Sequence, residues 1–163
     1  MSDASEIMIR LAGPTDAPSL ARLRYEFRAG RDPAMEDESD FQARCGAWMA
    51  ARLAPGSHWR CWVAEEAGRL VGAIWLQLIE KIPNPGAESE NHGYISNLYV
   101  KPSRRGGGLG AMLIDSCLRF CEKEDVDAVI LWPTPRSRRL YERHSFAVRE
   151  DLLERRLGPT PSQ

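Results

Sequence analysis

The stretch Val100-Lys101-Pro102-Ser103-Arg104-Arg105-Gly106-Gly107-Gly108-Leu109-Gly110-Ala111 decides the fold, because an alternating apolar pattern gives way there to a helical one. Before it, Tyr94-Ile95-Ser96-Asn97-Leu98-Tyr99-Val100 reads as a strand. After it, Leu109, Met112, Leu113, Cys117, Phe120 and Cys121 fall on one helical face, with Asp115, Arg119, Glu122 and Lys123 on the other. A strand that delivers a Gly-rich turn into a helix leaves several backbone N–H groups unpaired, with no side chains to hold a phosphate off them. Arg104 and Arg105 would add charge-assisted bonds. A P-loop reading fails, because Lys followed by Ser or Thr is required after the last glycine and Ala111-Met112 stands there. The dinucleotide fingerprint is matched by Gly106-x-Gly108-x-x-Ala111. It lacks its acidic residue at the end of the next strand, and it arrives after an antiparallel hairpin instead of in the first βαβ unit.

Working outward, Ile7, Ile9 and Leu11 alternate as a short strand that stops at Gly13-Pro14. With Asp16 as N-cap, Leu20, Leu23, Arg24 and Phe27 form a helical stripe broken by Gly30 and Pro33, and a second helix runs from about Asp40 to Pro55-Gly56. The acidic run Asp32, Glu36, Asp37, Glu38 and Asp40 is read as a solvated helix start, or as an attractor for a cationic substrate. Cys61–Ala64 and Leu70–Ile79 form a hairpin through Glu66-Ala67-Gly68-Arg69. Val126 to Trp132 is almost continuously apolar and is predicted as a strand near the middle of the sheet. Thr134 and Pro135 open a short helix carrying Leu140 and Tyr141. Phe146–Arg149 and Leu152–Leu157 are predicted to close the sheet as two antiparallel strands, with residues 158–163 as a flexible tail.

The chain has 163 residues, 28% of them charged, and a formal net charge of -1. That length suits one domain spanning 1–163, with an ordered core of about 6–157. Near-neutral charge supplies no global field for nucleic acid or an anionic membrane, so anion binding must be local. Cys45, Cys61, Cys117 and Cys121 show no metal-ligand spacing and read as buried thiols, and no metal is expected. No long apolar run and no apolar leader appear, so the sequence reading is a cytoplasmic protein without a membrane partner. Trp48, Trp59, Trp62, Trp75 and Trp132 lack interleaved cations and read as core and pocket walls.

Arg105-Gly106-Gly107-Gly108-Leu109-Gly110 is an R-x-x-G-x-G signature. With Tyr94 to Val100 before it and Leu140-Tyr141-Glu142-Arg143 after it, the chain resembles the GNAT superfamily of N-acetyltransferases. The resemblance spans about Ile7 to Leu157; its specific parts are Asn97 to Gly110 and Leu140 to Phe146. It implies an α/β fold with a mixed, largely antiparallel central sheet, a splayed pair of strands and helices on both faces. It implies acetyl-CoA as cosubstrate, with pyrophosphate on the backbone N–H groups of Arg105, Gly106, Gly107, Gly108, Leu109, Gly110 and Ala111. The pantetheine arm would pair with the backbone of Leu98, Tyr99 and Val100. Tyr141 matches the tyrosine that protonates the departing CoA thiolate, and Thr134 aligns where many members carry an Asn that touches CoA, although it could simply cap the helix.

Many members carry a basic Glu on or beside the strand before the glycine loop, and here that strand contains no carboxylate. Asn97 could position a water, and Glu90, His92 or Glu80 could deprotonate the amine through it. The family's Tyr-x-x-x-Gly-Phe is also changed, because Ser145 stands before Phe146. The expected activity is transfer of acetyl to a primary amine of a small molecule, and Phe27, Trp48, Trp75 and the acidic run suggest a cationic amine with an apolar body. A peptide or protein N-terminus as acceptor, a non-catalytic CoA sensor and a dinucleotide-dependent oxidoreductase are the other readings, and a homodimer is the expected assembly.

Overall fold

The computed structural model describes residues 6–29 and 36–158. The expected breaker at Gly30 and Pro33, Asp32 of the acidic run, nearly all of the N-terminal segment and nearly all of the tail 158–163 lie outside them. The chain divides into two compact units, Met1–Trp132 and Pro133–Gln163.

The first unit is built on a five-stranded open sheet in the order β1-β2-β3-β4-β5. Its strands are β1 (Ile7–Leu11), β2 (Trp59–Glu66), β3 (Arg69–Glu80), β4 (Asn91–Val100) and β5 (Val129–Ile130). The first four pair antiparallel and β5 joins β4 in parallel, so the sheet is mixed and largely antiparallel. Its helices are α1 (Ala17–Arg28), α2 (Glu38–Arg52) and α3 (Leu109–Lys123). The hairpin turn has Ala67 at φ 48° and Gly68 at φ 74°, two left-handed residues in a row whose twist matches the strands they join.

Alternation along the strands divides the core. Cys61, Val63, Ala73, Trp75 and Tyr99 pack with Leu20, Leu23 and Met49 of α1 and α2. On the opposite face Trp62 meets Phe120 of α3 at 5.4 Å between ring centroids, and Leu113, Ile114 and Cys117 are fully buried. Cys117 and Cys121 share that buried face as the spacing predicts. Cys61 is buried as well, and burial raises its thiol pKa well above the usual value, which suits packing better than nucleophilic work. Arg10 of β1 donates to both oxygens of Asp16, at 2.9 and 2.8 Å, and to Glu65 at 2.7 Å, tying β1, β2 and the start of α1 together.

Helix starts differ from the sequence reading in instructive ways. Asp16 precedes α1, but its carboxylate accepts from Gly13 N–H at 2.8 Å and from Arg10 instead of capping the helix. The cap of α2 is Asp37, which accepts from Ser39 N at 2.9 Å and Asp40 N at 3.3 Å, so the helix begins two residues before Asp40.

The expected strand Val126–Trp132 is corrected: only Val129 and Ile130 pair, and β5 ends the sheet instead of lying in its middle. Pairing is limited to Gly93 with Val129 and Tyr94 with Ile130. Pro133 follows shortly, offers no N–H to a ladder and restricts Trp132 before it.

The second unit contains α4 (Arg138–Glu142). Thr134 Oγ1 accepts from Ser137 N at 3.2 Å, so it caps the turn that leads into a helix starting later than expected. Phe146–Arg149 and Leu152–Leu157 form no strand, which corrects the predicted closing pair. Strand propensity reflects fit to a half-buried surface; here Val148, Leu153 and Leu157 are exposed and have nothing to alternate against. Arg149 pairs locally with Asp151 at 2.7 Å.

Candidate functional site

The site is built where β4 stops being an ordinary strand. Ser96 stands opposite Trp75 and Tyr99 opposite Ala73, so Asn97 and Leu98 together face the single residue Ile74. This is a β-bulge, and Asn97 sits in it at φ 54°, a left-handed conformation that Asn tolerates better than most side chains. On the edge away from β3, β4 pairs with β5 at Gly93 and Tyr94, and Asn91 O accepts from Asp127 N at 3.0 Å. Among the described residues, no strand occupies that edge from Ile95 to Val100. Tyr99 stands in a hydrogen-bonded pair with Ala73, as Lys101 does with Val71, so Val100 between them turns its backbone groups to this open edge, the kind of edge an extended amide-bearing arm requires.

The chain then turns through Pro102–Arg104, a short 3-10 segment, into the glycine loop. Gly106 has φ 83° and Gly108 φ 81°, and Gly108 is the N-cap of α3. The first backbone bond of the helix runs from Met112 N to Gly108 O at 3.1 Å. Among the described residues, no backbone acceptor takes the N–H groups from Gly106 to Ala111. A Cβ at Gly106, Gly107 or Gly108 would meet nothing within 4 Å. The loop thus presents donors and open space together at the positive end of a 15-residue helix.

The two arginines before the loop are engaged within the protein. Arg104 Nε donates to Glu66 at 2.7 Å, and Arg105 Nε donates to the Val100 carbonyl at 2.9 Å with its guanidinium 5.7 Å from the Tyr99 ring centroid. Burial pushes the Tyr99 hydroxyl pKa up, and Glu26 adds to that while Arg105 opposes it.

Asn97, expected to hold a water, presents its Oδ1 to Arg24 of α1 at 2.7 Å. Glu90 is exposed just before β4. Seven residues separate it from Asn97, about 23 Å along a strand, so the structure does not bring these two together. His92 lies within 3.8 Å of Asp127 and Glu80 within 3.8 Å of His58, both toward that same far end of the sheet. The acidic run is divided among local tasks. Glu36 pairs with Arg44, Asp37 caps α2 and Glu38 accepts from Gln42 at 2.8 Å. Trp48 and Trp75 do come together, joined by Trp59, with centroids 5.2 to 6.2 Å apart, whereas Phe27 packs on Tyr99 at 5.2 Å.

In the second unit, Tyr141 is buried and its ring lies 5.6 Å from Phe146. Phe146 N donates to Tyr141 O at 3.2 Å and Ser145 N to Glu142 O at 3.1 Å. Ser145 has φ 65°. This is the six-to-one and five-to-two bonding of a Schellman cap, with serine at the left-handed position and its aromatic contact intact. The missing glycine has therefore changed the strain, not the turn.

Sequence reasoning missed Arg24 as a partner of β4; the available signal was a cation inside the stripe Leu20, Leu23, Phe27. It also missed Glu66, for which no local pattern exists.

The model of the acetyltransferase (GNAT) family matches residues 21–146. No curated protein sequence gives a significant match. Among solved structures, a GCN5-related N-acetyltransferase from Ralstonia eutropha JMP134 is similar at TM-score 0.72 and 28% identity, over 94% of this chain and all of that one. A protein from Clostridium acetobutylicum described as a predicted acetyltransferase, solved with acetyl-CoA, superposes at TM-score 0.73 with 21% identity, over 93% of this chain and 97% of its own. Glucosamine-6-phosphate N-acetyltransferase from Arabidopsis thaliana shares the fold at TM-score 0.69 and 16% identity, over 94% of this chain and 99% of its own.

Proposed function

The chain belongs to the acetyltransferase (GNAT) family, and we propose that it moves an acetyl group from acetyl-CoA to a primary amine of a small molecule by direct attack on the thioester. One observation carries the cosubstrate: the open edge of β4 runs into a glycine loop whose N–H groups from Gly106 to Ala111 have no backbone acceptor among the described residues and whose glycines at 106–108 have open space at the Cβ position. Those features fit an amide-bearing arm followed by a pyrophosphate. The stretch Leu98, Tyr99 and Val100 would hold the arm and the N–H groups from Gly106 to Ala111 the phosphate oxygens, with α3 contributing its dipole, while Arg105 N already donates to Pro102 O at 3.4 Å.

Bound acetyl-CoA supplies an activated acetyl carbonyl. What the protein must add is a donor for the carbonyl oxygen as it gains charge, a route for the amine proton and a proton for the leaving thiolate. A backbone N–H near Val100 is the proposed oxyanion donor. Tyr141 is the proposed general acid, on its match to the family tyrosine. Thr134 serves as the turn cap already described. The aromatic group Trp48, Trp59 and Trp75 supports an acceptor with an apolar body.

The test is release of CoA thiol when the protein is mixed with acetyl-CoA and primary amines of cationic, neutral and acidic character, beside a peptide with a free N-terminus. Turnover of a small amine supports the reading; turnover of the peptide alone replaces it with N-terminal acetylation. From Asn91 to Val100, β4 carries no carboxylate, which favours a CoA-binding sensor as second reading; binding without thiol release for any amine would select it.

A further inference from the structure

A bulge at Asn97 is permitted by local chemistry but not fixed by it. Ser96 or Leu98 could take the extra position, which turns over only the residue the bulge passes, whereas loss of the bulge would send every following side chain to the opposite face. Tyr99 would then leave Phe27 and the α1 face. What distinguishes Asn97 is the Arg24 guanidinium, which donates to its Oδ1 at 2.7 Å across 73 positions of sequence. Two further ties follow in the same register, Phe27 on Tyr99 at 5.2 Å and Glu26 with Lys101 at 3.3 Å. Residues 24–27 of α1 thus grip residues 97–101 of β4 along the stretch that leads into the glycine loop. Arg24 is an unusual choice for an apolar helical stripe; its guanidinium lies 5.5 Å from the Phe27 ring centroid and donates to the bulge residue Asn97.

We propose that Arg24 is a positioning residue. By donating to Asn97 it pins the bulge at that residue, and so sets the register in which the stretch Leu98, Tyr99 and Val100 presents its open edge to acetyl-CoA. This rests on the acetyl-CoA reading above. The role of Asn97 is then to lock the strand, in place of the water-holding role that its position suggests.

The test compares Arg24→Gln, Arg24→Lys, Asn97→Gly and the Arg24→Gln/Asn97→Gly double variant. Each is measured by calorimetric titration with acetyl-CoA, steady-state kinetics on whichever amine is turned over, and ligand-free hydrogen exchange over β4. Arg24→Gln is expected to weaken acetyl-CoA by about tenfold or more, the scale of one lost charge-assisted bond. It should also lower kcat, leave the KM of the amine nearly unchanged, and speed exchange at residues 97–101 without affecting β2. Arg24→Lys should recover most of the loss. The double variant should be no worse than the poorer single variant, because both remove the same bond. Additive losses, or a rise in amine KM with acetyl-CoA affinity and exchange unchanged, would overturn the proposal and assign Arg24 to the acceptor. If the unmodified protein fails to bind acetyl-CoA, the functional reading falls separately, and unchanged exchange in Arg24→Gln would then overturn the clamp by itself.

Discussion

Replacing Gly108 by glutamate should leave the protein folded and close it to acetyl-CoA. The backbone there has φ 81°, so any side chain incurs the left-handed penalty of about 1–2 kcal/mol. A Cβ would meet nothing within 4 Å, so no packing cost is added. For a chain of this length, that corresponds to a fall in Tm of about 2–8 °C. The binding loss is larger. A carboxylate placed in the empty space above the loop would displace a phosphate from at least two charge-assisted N–H bonds, at about 1.5–3 kcal/mol each, which is a hundredfold weakening or more by order of magnitude. Gly56 supplies the control, with φ 80° and equally open surroundings on the loop after α2. Thermal melts and calorimetric titrations of Gly108→Glu and Gly56→Glu should show similar stability losses and a binding defect in the first alone. Acetyl-CoA affinity in Gly108→Glu within about threefold of the unmodified protein, less than 1 kcal/mol, would refute the loop assignment.

Tyr141→Phe should lower kcat by about a hundredfold with acetyl-CoA affinity nearly unchanged, the usual scale for losing a general acid; equal turnover in a stopped-time thiol assay would remove Tyr141 from the chemistry. Ser145→Gly should raise stability by up to ~1 kcal/mol in denaturant melts, since glycine relieves the φ of 65° but adds chain entropy on unfolding. Arg10 hydrogen-bonds Asp16 and holds its carboxyl below the usual carboxylate range. Its folded pKa is therefore below its unfolded one, and the stability it contributes is present above about pH 4 and is lost as pH falls through the folded value. Asp16→Asn should thus lower the melting temperature at pH 7 and narrow the gap from the unmodified protein in acid; a constant gap across pH would contradict the pairing.

The elements that were legible in the sequence are those whose signal is local. The period change at the glycine loop, the Ala67-Gly68 turn and the apolar face of α3 each depend on neighbouring residues, and all three formed as read. The glycine loop was legible as a turn for the same reason, since Gly106 and Gly108 hold left-handed backbone conformations. Non-local pairing was not legible. The run Val126 to Trp132 has strand composition, yet how much of it pairs depends on what lies beside it. Likewise, nothing near Asn97 in sequence announces Arg24, and nothing near Arg104 announces Glu66. Ser145 is an intermediate case: the helix-ending motif marked the turn, and the left-handed φ shows that serine can make it.

The central claim is that the open edge of β4 and the glycine loop together form an acetyl-CoA site. It is tested most directly by a calorimetric titration of the purified protein with acetyl-CoA, run beside NAD and NADP. The account predicts saturable binding of acetyl-CoA, with a dissociation constant on the order of micromolar, and none of either dinucleotide. Binding of NAD or NADP in its place would make Gly106, Gly108 and Ala111 a dinucleotide fingerprint and would contradict the account.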